Sequence, residues 1–225
     1  MISIAIDGPS GSGKSSISKC LAKKLHFVSV DTGALYRSVA YYFLKNNIDY
    51  NLESNVSKSL KNIDIDVRYN NDNQFVFLNN ENITGNIRSD EVSMVSSQIS
   101  SMPCVREYLL SLQRNIALKN NIIMDGRDIG TVVLPNADVK IFLTASPKSR
   151  AQRRYEQLLK SCPNITFFEV LKNINERDFN DIHRKISPLK PAKDAIIFDN
   201  SKYTFNESVN HILTKIKERV NFETK

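Results

Sequence analysis

Gly8-Pro9-Ser10-Gly11-Ser12-Gly13-Lys14-Ser15 is the stretch that decides the fold. It fits the pattern G-x-x-x-x-G-K-[ST], and its flanks are those of a phosphate loop. The residues before it, Ile2–Ile6, are apolar on both faces, as a buried parallel strand requires. Those after it, Ser15–Leu25, place Ile17, Leu21, Ala22 and Leu25 on one stripe of a helix. Glycines let such a loop curl so that successive backbone N–H groups point inward at phosphate oxygens, and the helix N-terminus adds partial positive charge. Lys14 can then bridge β- and γ-phosphates, and the Ser15 hydroxyl can ligate Mg²⁺. Residues Gly8 to Ser16 form the expected ATP-binding set. The motif by itself names only a nucleoside triphosphate site.

Outward from the loop, strand and helix keep alternating. Phe27–Val30 reads as a second buried strand ending at Asp31-Thr32-Gly33, and a helix follows from Ala34 to about Asn46. Such alternation predicts a parallel sheet with right-handed crossovers. Between Asn47 and Ser89 the chain turns rich in Asn and Asp, and Ile63-Asp64-Ile65-Asp66-Val67 alternates with period two. With Gln74–Leu78 and Asn82–Thr84 as further short strands, 47–89 reads as a small antiparallel insert. Helices are expected over Asp90–Gln98 and Val105–Lys119, and central strands over Ile122–Met124 and Val139–Leu143. Pro147–Lys160 and Ile165–Arg184 form a helical hairpin around Cys162-Pro163-Asn164. Ala195–Phe198 is the last strand and Phe205–Val220 the closing helix. The expected architecture is a single α/β domain of 225 residues with a five-stranded parallel sheet. Its core comprises 1–46, 90–146 and 185–225, with the insert at 47–89 and the hairpin at 147–184.

Composition narrows the function classes. With 41% hydrophobic and 24% charged residues, the chain is ordinary for a globular protein, so collagen, coiled coil and disordered tail are excluded. Its longest apolar runs fall far short of the ~20 residues of a membrane helix. The N-terminus lacks a secretion signal, since Asp7 and Gly8 interrupt it, so a cytoplasmic protein is expected. Cys20, Cys104 and Cys162 are too scattered for a disulfide framework or a paired zinc site, and His26, His183 and His211 form no constellation. The formal charge of +7 suits nucleic acid, an anionic surface or small polyanions alike, so arginine positions must decide. No Lys/Arg run of a nucleic-acid-gripping tail occurs.

Two further motifs lie at the ends of predicted strands. Asp125-Gly126-Arg127-Asp128 follows Ile122–Met124, and Asp31-Thr32-Gly33-Ala34-Leu35-Tyr36-Arg37 follows the second strand. Both fall at the carboxyl edge of the sheet, where open α/β folds bind ligands. Asp125 could orient hydrated Mg²⁺ or simply cap a strand-to-loop transition. In order, the phosphate loop, Asp-Thr-Gly-Ala-x-Tyr-Arg, Asp-Gly-Arg-Asp-x-Gly-Thr and Glu176-Arg177-Asp178 resemble bacterial cytidylate kinases, from Ile4 to about Asp199. Thr32 stands where many members of that family carry Ser, and keeps the hydroxyl. The resemblance implies ATP with Mg²⁺ as donor and CMP or dCMP as acceptor. It further implies that Thr32, Tyr36 and Arg37 line the CMP pocket, with Arg37 on the acceptor phosphate, and that Ser97, Arg106 and Asp128 read the cytosine edge. Arg127 and Arg184 would hold phosphate, and Arg177 and Asp181 would reach the acceptor side and its pentose.

Helical spacing gives a further, independent expectation. Arg177, Asp181 and Arg184 fall at i, i+4 and i+7 on one face, and Arg150, Arg153 and Arg154 crowd the preceding helix. Phosphoryl transfer needs several cations around the transferring group, delivered by an element that excludes water. The hairpin is a candidate lid with Arg153, Arg177 and Arg184 as its contacts, while Arg150 and Arg154 read as a solvated face. Kinases for UMP, AMP or shikimate share the same expectations of fold. A GTPase-type switch would carry Asn-Lys-x-Asp, which is absent from the chain, and an RNA-binding module is suggested by charge alone. A monomer that binds no nucleic acid or membrane is expected.

Overall fold

The computed structural model describes residues 1–70, 73–159 and 162–220. Its first strand, β1 (Ser3–Asp7), leads through the phosphate loop into α1 (Lys14–Leu25), β2 (Val28–Asp31) and α2 (Thr32–Lys45). A short helix, α3 (Glu53–Leu60), precedes the hairpin strands β3 (Ile65–Asn70) and β4 (Asn73–Leu78) and the two-residue β5 (Glu81–Asn82). Next come α4 (Asp90–Ile99), α5 (Pro103–Lys119) and β6 (Ile122–Gly126), then a π-helical turn over Ile129–Val133. The chain closes with β7 (Val139–Thr144), α6 (Pro147–Leu158), α7 (Phe167–His183), β8 (Ile196–Asp199) and α8 (Phe205–Arg219).

The five-stranded sheet is parallel throughout and ordered β2-β6-β1-β7-β8. Strand β1 lies at its centre because Ile4, Ala5 and Ile6 have no polar side chain to offer either face, and all three are fully buried. One face packs Ile4, Ile6, Ile17 and Leu21 against Val209, Ile212 and Ile216 of α8; the other packs Ala5, Val30 and Met124 against Ile129 and Val133. Register brings Asp7 opposite Gly126 and Asp31 opposite Asp125, so three loops leave the same edge side by side. Since β1 is flanked by β6 and β7, successive crossovers diverge there and leave a crevice.

The insert differs from the expectation of strands alone. The helix α3 was not foreseen because its eight residues bury only one stretch of apolar side chain, Val56 with Leu60 beside Ser59, among Asn, Ser and Lys. Together with β4, it joins α2, α4 and α5 in the largest core, around Phe43, Ile83, Ile99 and Leu109. Its third strand is Glu81–Asn82 and not Asn82–Thr84, because Thr84 folds back on Asn82, its hydroxyl donating to Asn82 Oδ1 at 2.7 Å. In the hairpin, α6 ends at Leu158; the expected helical residue Lys160 lies outside the described residues. A capping box between Thr166 and Glu169 starts α7. That helix stops at His183, with Arg184 as its extended C-cap. The hairpin has its own small core of Ala151, Val170 and Ile174. No helix among the described residues is long and apolar enough to cross a membrane.

Candidate active site

The phosphate loop opens on a glycine that no other residue can replace. Gly8 has φ 153°, and a Cβ there would lie 1.9 Å from the Leu143 carbonyl oxygen of the neighbouring strand β7. Turning N–H groups inward sends carbonyls outward, and each of those needs a donor. Lys14 Nζ donates to Pro9 O at 2.7 Å, Arg150 Nη1 to Ser10 O at 2.9 Å, and Asn200 Nδ2 to Ser12 O at 3.0 Å. Lys14 is buried, and burial together with the Arg127 guanidinium pushes its ammonium down to about 7, against the pull of Asp125, Asp181 and Asp7. Ser15 and Ser16 face solvent at the start of α1.

Ser15 Oγ donates to Asp125 Oδ2 at 2.7 Å. The other oxygen, Asp125 Oδ1, is buried without a hydrogen bond. Burial and the facing Asp31 push this carboxyl up to about 7, although Ser15, Lys14 and Arg127 oppose the shift. A hydroxyl paired with a carboxylate that keeps one oxygen unpartnered, next to a phosphate loop, fits the hard oxygen ligation of hydrated Mg²⁺. Among the described residues no group of three or more His, Cys, Asp or Glu gathers as a metal site.

Opposite the loop stands an arginine–aspartate lattice. Asp31 caps α2 by accepting from Ala34 N at 3.2 Å with Oδ1, while its Oδ2 takes Arg37 Nη2 at 2.8 Å. Gln74 of β4 reaches across and accepts from Asp31 N at 2.8 Å, fastening the insert to the end of β2. Thr32 Oγ1 donates to Asp125 O at 2.8 Å, joining the two strand ends. Arg127 Nε donates to Asp181 Oδ2 at 2.8 Å. Burial disfavours that carboxylate, but Arg127 and two further arginines outweigh it and hold it below the usual carboxylate range. Arg106 pairs with Asp128 Oδ2, and Arg184 Nη2 lies 3.5 Å from Asp128 Oδ1. The Arg106 guanidinium sits 6.0 Å over the Tyr36 ring, and burial pushes the Tyr36 phenol up to about 12. Arg177 is half-buried, its guanidinium disfavoured by burial and by Arg127.

Most of the expected residues therefore meet at one edge: Lys14, Ser15, Thr32, Tyr36, Arg37, Arg106, Asp125, Arg127, Asp128, Asp181 and Arg184, with Arg177 in electrostatic reach. Ser97 is half-buried on α4, near the lattice through Ser100, whose carbonyl accepts from Arg106 at 3.1 Å; among the described residues its hydroxyl makes no hydrogen bond to Arg106 or Asp128. Arg153 is spent on Asn200, donating to its Oδ1 at 3.0 Å and its carbonyl at 2.8 Å, on the donor flank of the loop.

One expectation is overturned. Arg150 is not a solvated arginine: its side chain is 3% exposed and forked onto Asp178 at 3.0 and 2.5 Å, besides donating to Ser10 O and Ala145 O. Charge pattern on a basic helix cannot reveal which arginine turns inward. Arg154 is exposed and among the described residues reaches Asp90 at 3.3 Å, as expected of a solvated side chain. Sequence reasoning also missed Asp7, Asp178 and Asn200. Asp178 had a signal, since it completes Glu176-Arg177-Asp178; Asp7 and Asn200 had none, because their partners, backbone groups and for Asn200 also the Arg153 side chain, lie far along the chain.

A family model described as cytidylate kinase matches residues 4–218. A cytidylate kinase of Fusobacterium nucleatum is 45% identical over 217 residues, covering 96% of this chain and 98% of that protein. One from Streptococcus mutans is 48% identical over 216 residues, 95% of each chain. Among solved structures, an uncharacterized protein of Eubacterium ventriosum shares the fold with TM-score 0.53 at 13% identity, over 97% of this chain and 100% of that one.

Proposed function

The chain belongs to the cytidylate kinase family, nucleoside monophosphate kinases that phosphorylate CMP or dCMP from ATP, and we propose that its sheet-edge residues divide this work between a donor and an acceptor side. On the donor side, residues Gly8 to Ser16 cradle the triphosphate, and Lys14 leaves Pro9 O for the β- and γ-oxygens. Ser15 and, through water, Asp125 would hold Mg²⁺ brought in with ATP, which would supply charge neutralisation. On the acceptor side, Arg37 takes the CMP phosphate in place of Asp31, with Thr32 and Tyr36 forming the pocket wall. Arg127 and Arg184 hold phosphate, and Arg177 with Asp181 reaches the acceptor and its pentose.

The acceptor phosphate is already ionised and attacks the γ-phosphorus in line. The new O–P bond forms as the β,γ-bridging bond breaks and ADP leaves, so neither an enzyme-bound phosphoryl group nor a strong base is needed. Lys14, Arg153, Arg177 and Arg184 stabilise the spreading charge. Asp128 serves recognition. The hairpin over 147–184, with its own small core, acts as the lid, and 47–89 as the inserted part of the acceptor-binding subdomain. In this reading the chain works as a monomer on free nucleotides in the cytoplasm, without nucleic acid.

The observation that carries the cytosine assignment is the buried Arg106–Asp128 pair. Cytosine offers an amino donor and an N3 acceptor, matching a carboxylate and a guanidinium; uracil offers the opposite polarity. A coupled ADP-release assay against CMP, dCMP, UMP and AMP tests this. CMP and dCMP should be strongly preferred. Equal turnover of UMP and CMP would remove the cytosine assignment and leave the kinase standing.

A further inference from the structure

Asp7 ends β1 immediately before the phosphate loop and is 4% exposed. Its two oxygens accept from Ile129 N at 2.8 Å and Gly130 N at 2.7 Å, the first two residues of the π-helical turn. We propose that Asp7 is a specificity-positioning residue, which caps this turn from a distant strand and thereby leaves the Asp128 carboxylate free to read the base.

The first N–H groups of any helical turn lack partners within it, and the residue at the N-cap ordinarily satisfies them with its own side chain. Here the N-cap residue is Asp128, the residue type best suited to that task, yet its side chain makes no capping bond. Its carbonyl still accepts from Val132 N at 2.9 Å and Val133 N at 3.2 Å, so the turn is formed normally on the acceptor side. Asp7 has taken over the donors. Both oxygens of Asp128 therefore face the guanidinium groups of Arg106 and Arg184. The fit is close: a Cβ on Gly130 would meet Asp7 Oδ2 at 3.4 Å and the Lys140 side chain at 3.2 Å. Without Asp7, two buried N–H groups would compete for the Asp128 carboxylate, and a capping rotation would take it away from the arginines.

The proposal rests on Asp128 as reader of cytosine, and the test separates the two. The kcat/KM values for CMP and UMP are measured in wild type, Asp7→Asn, Asp128→Ala and the double variant. Asn keeps the shape of Asp but turns an amide donor toward one N–H, so one capping bond is lost. In a variant that still unfolds cooperatively, the CMP-to-UMP ratio should fall about tenfold, mainly through CMP, the size expected for one displaced polar contact. The double variant should show the ratio of Asp128→Ala alone, because Asp7 acts through that residue. Asp7→Ser, with a single acceptor, is read in the same way if Asp7→Asn does not fold. Equal losses for CMP and UMP in the Asp7 variants would overturn the proposal and assign Asp7 to bracing the loop beside Lys14. An unchanged ratio in Asp128→Ala would instead overturn the cytosine reading itself, and the role of Asp7 with it.

Discussion

Lys14 holds an ammonium that its surroundings disfavour, and it donates to a loop carbonyl. Incoming phosphate oxygens replace that carbonyl with charge. Lys14→Ala should lower kcat by about 10³-fold, or about 4 kcal/mol of transition-state stabilisation. Its fold should stay intact, since a buried cation is removed and not an apolar contact. A folded variant with near-normal turnover would refute the donor-side assignment. Asp7 gives a titration test. Burial raises its carboxyl to about 6, against the pull of the two N–H groups and Lys14 and with that of Asp128. The folded state thus binds more protons than the unfolded one between about pH 4 and 6, so this group's stabilisation is complete at the acid end and fades as pH rises through that window. The Tm deficit of Asp7→Asn should be greatest near pH 4 and shrink towards pH 7 (from thermal unfolding without nucleotide). A deficit that grows with pH would contradict the shift. Residues of this kind differ in how they appear in sequence. Lys14 and Ser15 announce themselves because their partners are set by a local motif. Asp7 is silent, because its partners are backbone amides that any residue would offer.

The hairpin of α6 and α7 shows what helical periodicity can and cannot give. Spacing put Arg177, Asp181 and the C-capping Arg184 on one side, and the structure turns Asp181 and Arg184 to the lattice. It could not say that Arg150 points inward, since only its neighbours in space, Ser10 O, Ala145 O and Asp178, make burial of a guanidinium tolerable. Removing one member of such a buried pair strands the other. Arg150→Ala should therefore cost about 3–5 kcal/mol in denaturant unfolding and lower turnover as the loop loses its brace. Arg154→Ala should change stability by less than about 0.5 kcal/mol. Equal, small effects at both would mean that the Arg150–Asp178 fork is not formed in solution. Arg184→Ala should slow transfer by about 10²-fold or more in single-turnover kinetics while the chain remains folded. A loss no greater than that of Arg154→Ala would remove the hairpin from the chemistry. The helix α3 was missed for a different reason: eight residues with one apolar patch carry too little period to read.

At the scale of the molecule, the sheet was legible because buried parallel strands must be apolar on both faces, and four of the five begin as short β-branched runs before an acidic or glycine turn. What sequence could not supply was the order of the strands, which sets Asp31, Asp125 and Asp7 side by side along that edge. A formal charge of +7, counted along the chain, would allow a cleft of bare cations. Instead, Arg37, Arg106, Arg127 and Arg184 each rest against an aspartate. The cleft thus comes with its own counter-ions, and nucleotide loading is an ion exchange within the protein: phosphate in, carboxylate displaced. Burial disfavours the Asp181 carboxylate, and Arg127 with two further arginines holds it below the usual range, so taking that guanidinium away makes it more basic and loading at mildly acid pH should draw protons from solution. Calorimetric titration of CMP in two buffers of different ionisation enthalpy should give different apparent heats, with the slope marking net uptake. Identical heats would mean that the aspartates keep their partners and that phosphate is held by cations they leave unshared. In an exchanger of this type, a monovalent anion such as chloride neutralises too little to displace an internal carboxylate, whereas a doubly charged phosphate can.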